Sequence, residues 1–391
     1  MELNEGEMSK QKLSLLIYSL AGGGAERVVS VLLHELKEQY DITLVLMRDK
    51  IDYEIPKDTK IHFLEDSNPY ENGILKLLKL PYLGWKYKSF CKRNGIDISL
   101  VFMNRPSYVS IFAKIFGNKI YTIISERTTP SMMYRKDNIL SKVSKILIKK
   151  LYPKADFIIS NSEGNRLDLI DNFQIEASTI ETIYNPFDLE KIKKLSLEKV
   201  DNYEFTKFTF ISVGRLDTGK NHKLLIDAFS ELDVDKVELI ILGEGSLRAE
   251  LEEQIKELNL ENSVSLLGFD NNPYKYFSKA DTFVFSSLYE GFPNVLVEAL
   301  ACGLPVISTD CKSGPREILA PRSNFSFQLQ ESIELSDYGI LVPVNKKREL
   351  IEAMKYMIDS FNKENVKVGA NSFAKKIVIN EYIDILNRGI K

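Results

Sequence analysis

Short, almost uninterrupted apolar runs alternate with amphipathic segments along this chain, and that alternation constrains the fold more than any other feature. Strands without polar positions are typical of a parallel sheet buried on both faces, and the segments between them serve as helical crossovers. A first series of strands is predicted at residues 12–20, 41–47, 99–103, 119–125 and 155–160. A second series is predicted at residues 208–213, 237–242, 263–267, 282–286 and 305–308.

The two series are separated at Asn185-Pro186, because a proline disfavours a helical conformation of the residue before it. The sequence therefore predicts two Rossmann-like α/β domains, at residues 1–185 and 186–370. Two domains also fit a length of 391 residues at ~150 residues per domain. The segment 371–391 is predicted to be a helix outside the second series. Ligands of parallel α/β sheets bind at the carboxyl ends of the strands, so we expect both sheets to face a central cleft.

The composition argues against several classes of protein. A net charge of −3 is not typical of a nucleic-acid-binding chain. Three cysteines without a C-x-x-C spacing, and only three histidines, argue against a zinc site and favour a reducing compartment. No apolar run reaches the ~18 residues of a membrane span, and the acidic start MELNEGEMSK is unlike a signal peptide. We therefore expect a cytoplasmic protein whose membrane contact is peripheral.

Positive charge is concentrated in residues 72–154, which hold 17 Lys or Arg and three acids. The lysines are interleaved with apolar residues at helical spacing, a pattern typical of helices that bind anionic lipid headgroups. The alternative is two ordinary surface helices whose apolar stripes face the core. The residues predicted to contact a membrane are Lys76, Lys79, Trp85, Lys86, Lys142, Lys145, Lys149 and Lys150.

The strongest motif is YEGFPNVLVEALACG at residues 289–303, which follows a strand and opens a helix. Asn294 is expected to be the N-cap of that helix. Glu290 lies in the loop and Glu298 about one turn into the helix, so both carboxylates can face one ligand. Carboxylates accept hydrogen bonds from pairs of hydroxyls, which favours a ribose or a hexose as the partner. The alternative is a loop acid and an ordinary acidic helix residue.

A second motif, SVGRLDTGKNH at residues 212–222, leaves a strand end through a glycine-containing loop. Arg215 and Lys220 are two cations five residues apart, and together they fit the diphosphate of a leaving group. The alternative is that both are surface residues of the loop. His222 is expected to be structural. Weaker candidates for nucleotide contact, each with a capped helix or a plain turn as its alternative, lie at residues 243–246, 268–269 and 313–317.

Two further motifs follow strands of the first series. The glycine turn AGGGAER at residues 21–27 allows close approach of a ligand to a helix N-terminus, although it lacks the last glycine of a dinucleotide fingerprint. The segment SERTTP at residues 125–130 places Glu126 at a strand end, where it can bind a sugar hydroxyl or act as a base. The alternative is that Glu126 and Arg127 pair with other side chains.

Taken together, these motifs resemble the retaining GT-B glycosyltransferases of family 4. The resemblance rests on the Arg215–Lys220 loop, on the seven-residue gap between Glu290 and Glu298, and on the segment LACGLPVISTD, and it covers essentially the whole chain. It implies that Arg215 and Lys220 hold the diphosphate of a nucleotide-sugar, that Glu298 binds its ribose and that Glu290 contacts the donor sugar. It also implies that the last helix packs back onto the first domain. Further implied donor contacts are Gly23, Gly24, Gly214, Gly245, Phe269, Gly291, Phe292, Pro293, Asn294 and Val295.

One departure concerns the first domain. Many members of the family carry a histidine where this chain has SERTTP, and Glu126 is the residue expected to take its place among the catalytic residues Arg215, Lys220 and Glu290. In the family the leaving phosphate oxygen takes the proton of the acceptor, so no protein nucleophile is implied. No Asp-x-Asp stands at a strand end, and we therefore expect neither a metal nor another cofactor.

The resemblance implies a transferase acting at the inner face of the plasma membrane in surface polysaccharide assembly. It would move a hexose or N-acetylhexosamine from a nucleotide-sugar, UDP-linked in most of the family, to a lipid-linked glycan such as a polyprenyl-diphosphate derivative. Two other classes stay open: a nucleotide-sugar epimerase or hydrolase of the same fold, and a non-catalytic subunit that binds sugar nucleotides. An epimerase or hydrolase is expected to gather acid/base residues, and the three histidines are poorly placed for that.

Overall fold

The computed structural model describes residues 10–68, 70–136, 138–201, 203–360 and 366–389. The acidic start of the chain at residues 1–9, for which no signal peptide was predicted, lies outside the described residues, as does Asp137 of the basic segment. The chain divides into two compact units. Unit 1 takes its members from Met1–Asn161, Asn165–Pro186 and Val378–Lys391, and unit 2 from Ser162–Gly164 and Phe187–Ile377.

Unit 1 contains a seven-stranded parallel sheet with the order β3-β2-β1-β4-β5-β6-β7. Leu13 of the inner strand β1 lies beside Ile42 on one side and Ile98 on the other, and all three are buried. The strands are β1 (Gln11–Ile17), β2 (Tyr40–Leu46), β3 (Lys60–Phe63), β4 (Ile98–Phe102), β5 (Tyr121–Glu126), β6 (Phe157–Ser160) and β7 (Ile180–Thr182).

Helices cover both faces of this sheet, which explains why its strands are apolar on both sides. Leu15 and Ile17 belong to the core on one face, and Leu16 belongs to the core on the other. The helices in this part of the chain are α1 (Gly24–Leu36), α2 (Gly73–Leu78), α3 (Leu80–Asn94), α4 (Asn104–Ile115), α5 (Pro130–Met133), α6 (Ile139–Leu151) and α7 (Glu163–Phe173).

Unit 2 repeats the architecture with the strand order β10-β9-β8-β11-β12-β14-β13. All pairs are parallel except β13 with β14. The strands are β8 (Phe208–Val213), β9 (Val237–Leu242), β10 (Val264–Gly268), β11 (Thr282–Phe285), β12 (Val306–Thr309), β13 (Glu334–Leu335) and β14 (Gly339–Val342). The helices are α8 (Leu189–Ser196), α9 (His222–Phe229), α10 (Arg248–Glu257), α11 (Tyr274–Phe277), α12 (Asn294–Cys302), α13 (Pro315–Leu319) and α14 (Lys347–Asp359).

A 3₁₀ segment, Val366–Phe373, leads into the last helix, α15 (Lys375–Arg388). Most of α15 belongs to unit 1, where Tyr382 and Leu386 are fully buried in the core beside the first sheet. The chain therefore returns to its first unit at its end. Within the described residues, no helix combines the length and the apolar character that a membrane crossing needs.

The two series of strands predicted from the apolar runs are confirmed, and four strands were missed. These four, β3, β7, β13 and β14, have at most four residues each, and β3, β7 and β13 lie at sheet edges. Edge strands carry exposed positions, as three of the four residues of β3 do, so they show no apolar run. The sequence also placed the start of β5 too early and its end one residue too soon, because Glu126 itself is the last residue of the strand.

Candidate active site

The carboxyl end of β8 continues into a loop that fixes the backbone of Lys220. Asp217 Oδ1 accepts hydrogen bonds from the amides of Gly219 and Lys220, at 2.9 and 3.2 Å, and so closes the turn. The loop after β11 also contacts this turn. Ser286 Oγ donates to the carbonyl of Lys220 at 2.8 Å, and the amide of Leu288 donates to the carbonyl of Gly219 at 2.8 Å. Two neighbouring strand ends thus position one lysine.

The side chain of Lys220 meets the first glutamate of the strongest motif. Its Nζ lies 2.6 Å from Glu290 Oε1 and 5.0 Å from the centre of the Phe285 ring. Both charged side chains are mostly buried but keep some exposure, so this ion pair has weaker solvent screening than a surface pair. The structure therefore brings together a predicted cation and a predicted carboxylate that lie 70 residues apart in the sequence.

Arg215, the second predicted cation, is exposed on the same loop. Among the residues that the structure describes, its guanidinium has neither an ion-pair nor a hydrogen-bond partner, while its carbonyl accepts from the amide of Asp217 at 2.8 Å. The next residue, Leu216, is fully buried, and its amide donates to the carbonyl of Glu244 at 3.0 Å. The backbone at Arg215 is therefore anchored while its guanidinium faces solvent.

Two glycines near this loop have different surroundings. A Cβ on Gly245 would lie 2.2 Å from the carbonyl oxygen of Leu216, which is backbone and cannot move away easily. A Cβ on Gly214 would meet only the flexible stem of Lys220, at 3.3 Å. Packing against Leu216 therefore explains Gly245, and its predicted contact with a donor stays a prediction. Phe269, the other candidate on this side, is exposed at the end of β10.

The helix α12 begins at Asn294, so the prediction that Asn294 is the N-cap is wrong. Pro293 occupies the cap position in an extended conformation and makes no side-chain cap hydrogen bond. Gly314 packs closely against this proline, because a Cβ on Gly314 would lie only 2.3 Å from Pro293 Cδ. Phe292 packs inward, with its ring centre 5.5 Å from that of Phe373.

Glu298 lies on α12 and is almost fully buried. The hydroxyl of Tyr274, on α11, donates to Glu298 Oε1 at 3.2 Å. Sequence reasoning missed Tyr274 because it stands 24 residues before Glu298, with no charge or glycine to mark it. The segment NNPY at residues 271–274, just after β10, is the signal that could have indicated it.

Glu126 in unit 1 has a different environment from Glu290. It is fully buried: Oε1 accepts from the amide of Arg127 at 2.9 Å and from the hydroxyl of Thr128 at 2.8 Å, and Oε2 accepts from Tyr152 at 2.7 Å. Burial raises the pKa of the Glu126 carboxyl above its usual range. Arg127 donates to Asn185, so both charged residues pair with other groups, as the alternative interpretation held. A catalytic role of Glu126 stays a prediction.

The carboxylate of Glu26 lies against the glycine turn before α1, and the sequence analysis did not single it out. Gly23 is the N-cap of α1, and a Cβ there would lie 2.4 Å from Glu26 Oε2. The hydroxyl of Tyr53 donates to the carbonyl of Gly23 at 2.9 Å. Burial raises the pKa of Glu26. Donor contacts at Gly23 and Gly24 stay predictions.

The predicted membrane-contacting lysines differ in their surroundings, and Lys76 of α2 is half-buried. Lys79 pairs with Glu71 and lies 3.7 Å from Glu65, two acids just before the basic segment, and Lys86 donates to the carbonyl of Leu64. The lysines of α6, namely Lys142, Lys145, Lys149 and Lys150, are all exposed. The free charge near α2 and α3 is therefore smaller than the sequence suggested.

Apolar side chains are exposed beside these lysines. Only Ser141, Ile148 and Leu151 of α6 are buried, so the alternative of an apolar stripe facing the core covers part of this helix only. A Cβ on Gly73 would lie 3.3 Å from Leu140 Cδ1, which shows that α2 and α6 adjoin. We call the exposed set the apolar surface: Ile74, Leu75, Leu78, Tyr82, Trp85, Ile139, Leu140 and Ile146.

Two protein-family models match the chain, "Glycosyltransferase Family 4" over residues 22–191 and "Glycosyl transferases group 1" over residues 197–373. A Campylobacter jejuni protein named N-acetylgalactosamine-N,N'-diacetylbacillosaminyl-diphospho-undecaprenol 4-alpha-N-acetylgalactosaminyltransferase is 49% identical over 370 residues, which cover 93% of this chain and 96% of that protein. An uncharacterized glycosyltransferase of Methanocaldococcus jannaschii is 34% identical over 328 residues, which cover 78% of this chain and 79% of that protein. Anabaena HepE, solved in complex with UDP, has a TM-score of 0.74 at 19% identity, covering 97% of this chain and 100% of that one.

Proposed function

The chain belongs to the family 4 glycosyltransferases of GT-B fold, and on that basis we propose that it transfers an N-acetylhexosamine from a UDP-sugar to a polyprenyl-diphosphate-linked glycan. The observation that carries this proposal is the 49% identity to the Campylobacter enzyme across nearly the whole of both chains. That enzyme's name specifies N-acetylgalactosamine and an undecaprenol-diphosphate acceptor. Its sugar is therefore the first donor to test.

Lys220 and Arg215 supply the positive charge for the donor's diphosphate. Charge develops on the phosphate oxygens as the bond to the sugar breaks, and fixed cations stabilise that charge most where water is partly excluded. Lys220 meets this condition because its ammonium is mostly buried and its backbone is anchored on both sides. Arg215 adds a mobile guanidinium that can bind two phosphate oxygens at once.

Glu290 has two roles in this proposal. Its carboxylate, 2.6 Å from Lys220 Nζ, orients the ammonium. The same carboxylate accepts hydrogen bonds from hydroxyls of the donor sugar. Because Lys220 binds the diphosphate, the Lys220–Glu290 ion pair fixes the position of the sugar relative to the diphosphate. The acceptor hydroxyl then attacks on the face that the diphosphate leaves, and its proton passes to the leaving phosphate oxygen. The configuration of the anomeric carbon is retained, and no metal is needed in this scheme.

The apolar surface and the lysines of α6 are proposed to hold the enzyme on the inner face of the plasma membrane, where a polyprenyl-linked acceptor resides. Leu78 and Ile139 are 70% and 78% exposed and belong to the eight exposed apolar residues of this surface, and a group of this kind marks an interaction site where a single exposed residue does not. Lys145, Lys149 and Lys150 lie on the same helix as Ile139 and would contact anionic headgroups. Burial of one leucine in the acyl boundary stabilises binding by about 1.5–3 kcal/mol.

The activity is tested with purified protein, a panel of UDP- and GDP-sugars, and a polyprenyl-diphosphate-linked glycan. We expect nucleotide release from UDP-N-acetylgalactosamine only when the lipid-linked acceptor is present, with an α-anomeric product by NMR and unchanged rates in EDTA. Release without acceptor would indicate a hydrolase. UDP binding without release on any acceptor would indicate a non-catalytic subunit.

Membrane binding is tested by flotation with neutral vesicles and with vesicles that contain anionic lipid. Leu78→Ser should reduce the fraction bound to anionic vesicles several-fold, because it removes one of the most exposed apolar residues of this surface. The matched control is Leu197→Ser in unit 2, since Leu197 is 80% exposed but lies outside the apolar surface. Equal recovery on both kinds of vesicle, or equal effects of both substitutions, would contradict the proposal.

A further inference from the structure

We propose that Tyr274 is a positioning residue: its hydroxyl fixes the carboxylate of Glu298 toward the ribose hydroxyls of the donor nucleotide and so sets the preference of this site for ribonucleotides. The inference rests on the proposed function, in which Glu298 binds the ribose. It deepens that function by naming the group that orients Glu298. The observation behind it is the hydrogen bond from Tyr274 to Glu298 Oε1, at 3.2 Å between two nearly buried side chains.

The ring of Tyr274 is held in place by aromatic neighbours. Its centre lies 6.3 Å from that of Phe277 in an edge-on arrangement, and Phe277 packs in the same manner against Phe283 of β11, at 5.4 Å. Edge-to-face pairs of this kind restrict ring orientation. The direction of the Tyr274 hydroxyl is therefore set by the core of unit 2 and not by solvent.

The backbone before Tyr274 is also anchored. Asn272 Oδ1 accepts from the amide of Tyr274 at 3.2 Å, and Asn272 Nδ2 donates to the carbonyl of Leu195 at 2.9 Å. This segment starts at the end of β10 with the exposed Phe269. One anchored segment therefore carries Phe269, which is predicted to contact the nucleotide, and Tyr274, which bonds to the residue proposed to bind the ribose.

The chemistry of a carboxylate explains why the anchor matters. An ionised carboxylate only accepts hydrogen bonds, so it selects ligands that present hydroxyl donors. A buried carboxylate whose direction is fixed loses little conformational entropy when the ligand binds. Without the Tyr274 hydroxyl, Glu298 would lose one of the contacts that orient it toward the ribose, and the advantage of a ribose over a deoxyribose would shrink.

The test is calorimetric binding of UDP and of 2′,3′-dideoxy-UDP, which lacks both ribose hydroxyls. We expect the full-length wild-type protein to bind UDP at least about tenfold more tightly than the dideoxy analogue, because the site is built to meet hydroxyl donors. Tyr274→Phe should weaken UDP binding about three- to tenfold and leave the dideoxy analogue unchanged, consistent with the loss of one hydrogen bond of ordinary strength. Glu298→Gln should abolish most of the preference.

Tyr276→Phe is the matched control. Tyr276 is on the same short helix, is fully buried, and donates its hydroxyl to Asp270 at 3.1 Å instead of to Glu298. We expect this variant to keep the wild-type ratio of the two dissociation constants. Thermal unfolding of all variants separates a local effect from a loss of fold.

The outcomes distinguish the inference from the function on which it rests. If neither the wild type nor Glu298→Gln discriminates between the two nucleotides, the proposed ribose contact fails. If Glu298→Gln loses the preference while Tyr274→Phe keeps it, the role of Tyr274 alone is overturned. If Tyr276→Phe reduces the preference as much as Tyr274→Phe does, the effect belongs to the helix and the proposed role is also overturned.

Discussion

Units 1 and 2 carry charged residues at the ends of parallel strands of similar sheets, yet the two sets have opposite surroundings. At the end of β5, Glu126 and Arg127 are buried and bonded to neutral groups of their own unit. After β8 and β11, Lys220 and Glu290 bond to each other and keep partial exposure, and Arg215 faces solvent.

This difference shows that a charge at a strand end is not by itself a ligand site. A buried charge must be compensated by its neighbours, and after compensation its main effect is on stability. A partly exposed charge on an anchored loop can exchange its neighbour for a ligand. We therefore expect substitutions at the ends of β8 and β11 to affect turnover, and those at the end of β5 to affect folding.

The largest effect is expected for Lys220→Ala. Loss of a fixed cation at the leaving diphosphate should lower turnover about 10²- to 10³-fold, as is typical when one preorganised group that stabilises developing charge is removed. Lys223→Ala is the control, because Lys223 forms an ion pair of the same length with Glu250 on the protein surface. Nucleotide release measures both, and turnover of Lys220→Ala within threefold of the wild type would refute the role of Lys220.

Arg127→Met tests the opposite expectation for unit 1. Removal of this buried guanidinium takes a donor away from Asn185 and from Tyr382 and should lower the free energy of unfolding by about 3 kcal/mol. Arg388→Met removes an exposed bidentate ion pair with Glu181 and should cost less than about 1 kcal/mol. Urea denaturation compares the two, and equal stability of both variants would contradict the assignment.

His222 provides a pH test inside unit 2. It is buried, Nδ1 has no hydrogen-bond partner among the described residues, and burial together with Lys220 lowers its pKa to about 4, against a smaller opposing effect of Asp217. Because the unfolded chain binds a proton at higher pH than the folded one, stability should fall by roughly 3 kcal/mol from pH 6.5 down to 4.

The measurement for His222 is the pH dependence of thermal unfolding, compared between wild type and His222→Gln. The contribution of neutral His222 to stability should be complete above pH 6.5. Below that pH, the free energy of unfolding of the wild type should decline more steeply than that of the variant. Parallel curves for the two proteins would show that His222 does not titrate in this range.

A smaller effect is expected for Gly245 and Gly214, the two glycines near the loop of Lys220. Gly245→Ala should cost about 1–3 kcal/mol, since its Cβ would collide with the backbone of Leu216, and this lowers the melting temperature by roughly 5 °C. Gly214→Ala meets only the movable stem of Lys220 and should leave the melting temperature nearly unchanged. The opposite order of the two variants would show that Gly245 is not needed for packing.

The sequence predicted the inner strands of both sheets except β14, because their signal is local. The bounds of β8 and β9 agree residue for residue with the apolar runs 208–213 and 237–242, since both strands lie inside the sheet. It failed at β3 and at Asn294, where exposure at a sheet edge and the packing of Gly314 on Pro293 decide the structure. Neither signal is visible within a few residues of the affected position.

The sequence by itself determined the two series of strands, the charged loops that follow them, and the family to which the chain belongs. Only the tertiary structure decided which charges are buried and which remain accessible. The partner of Lys220 is 70 residues away, that of Glu298 is 24 residues away, and Tyr382 reaches Arg127 across 255 residues. Burial depends on contacts between such distant segments, and no local pattern of residue types records them.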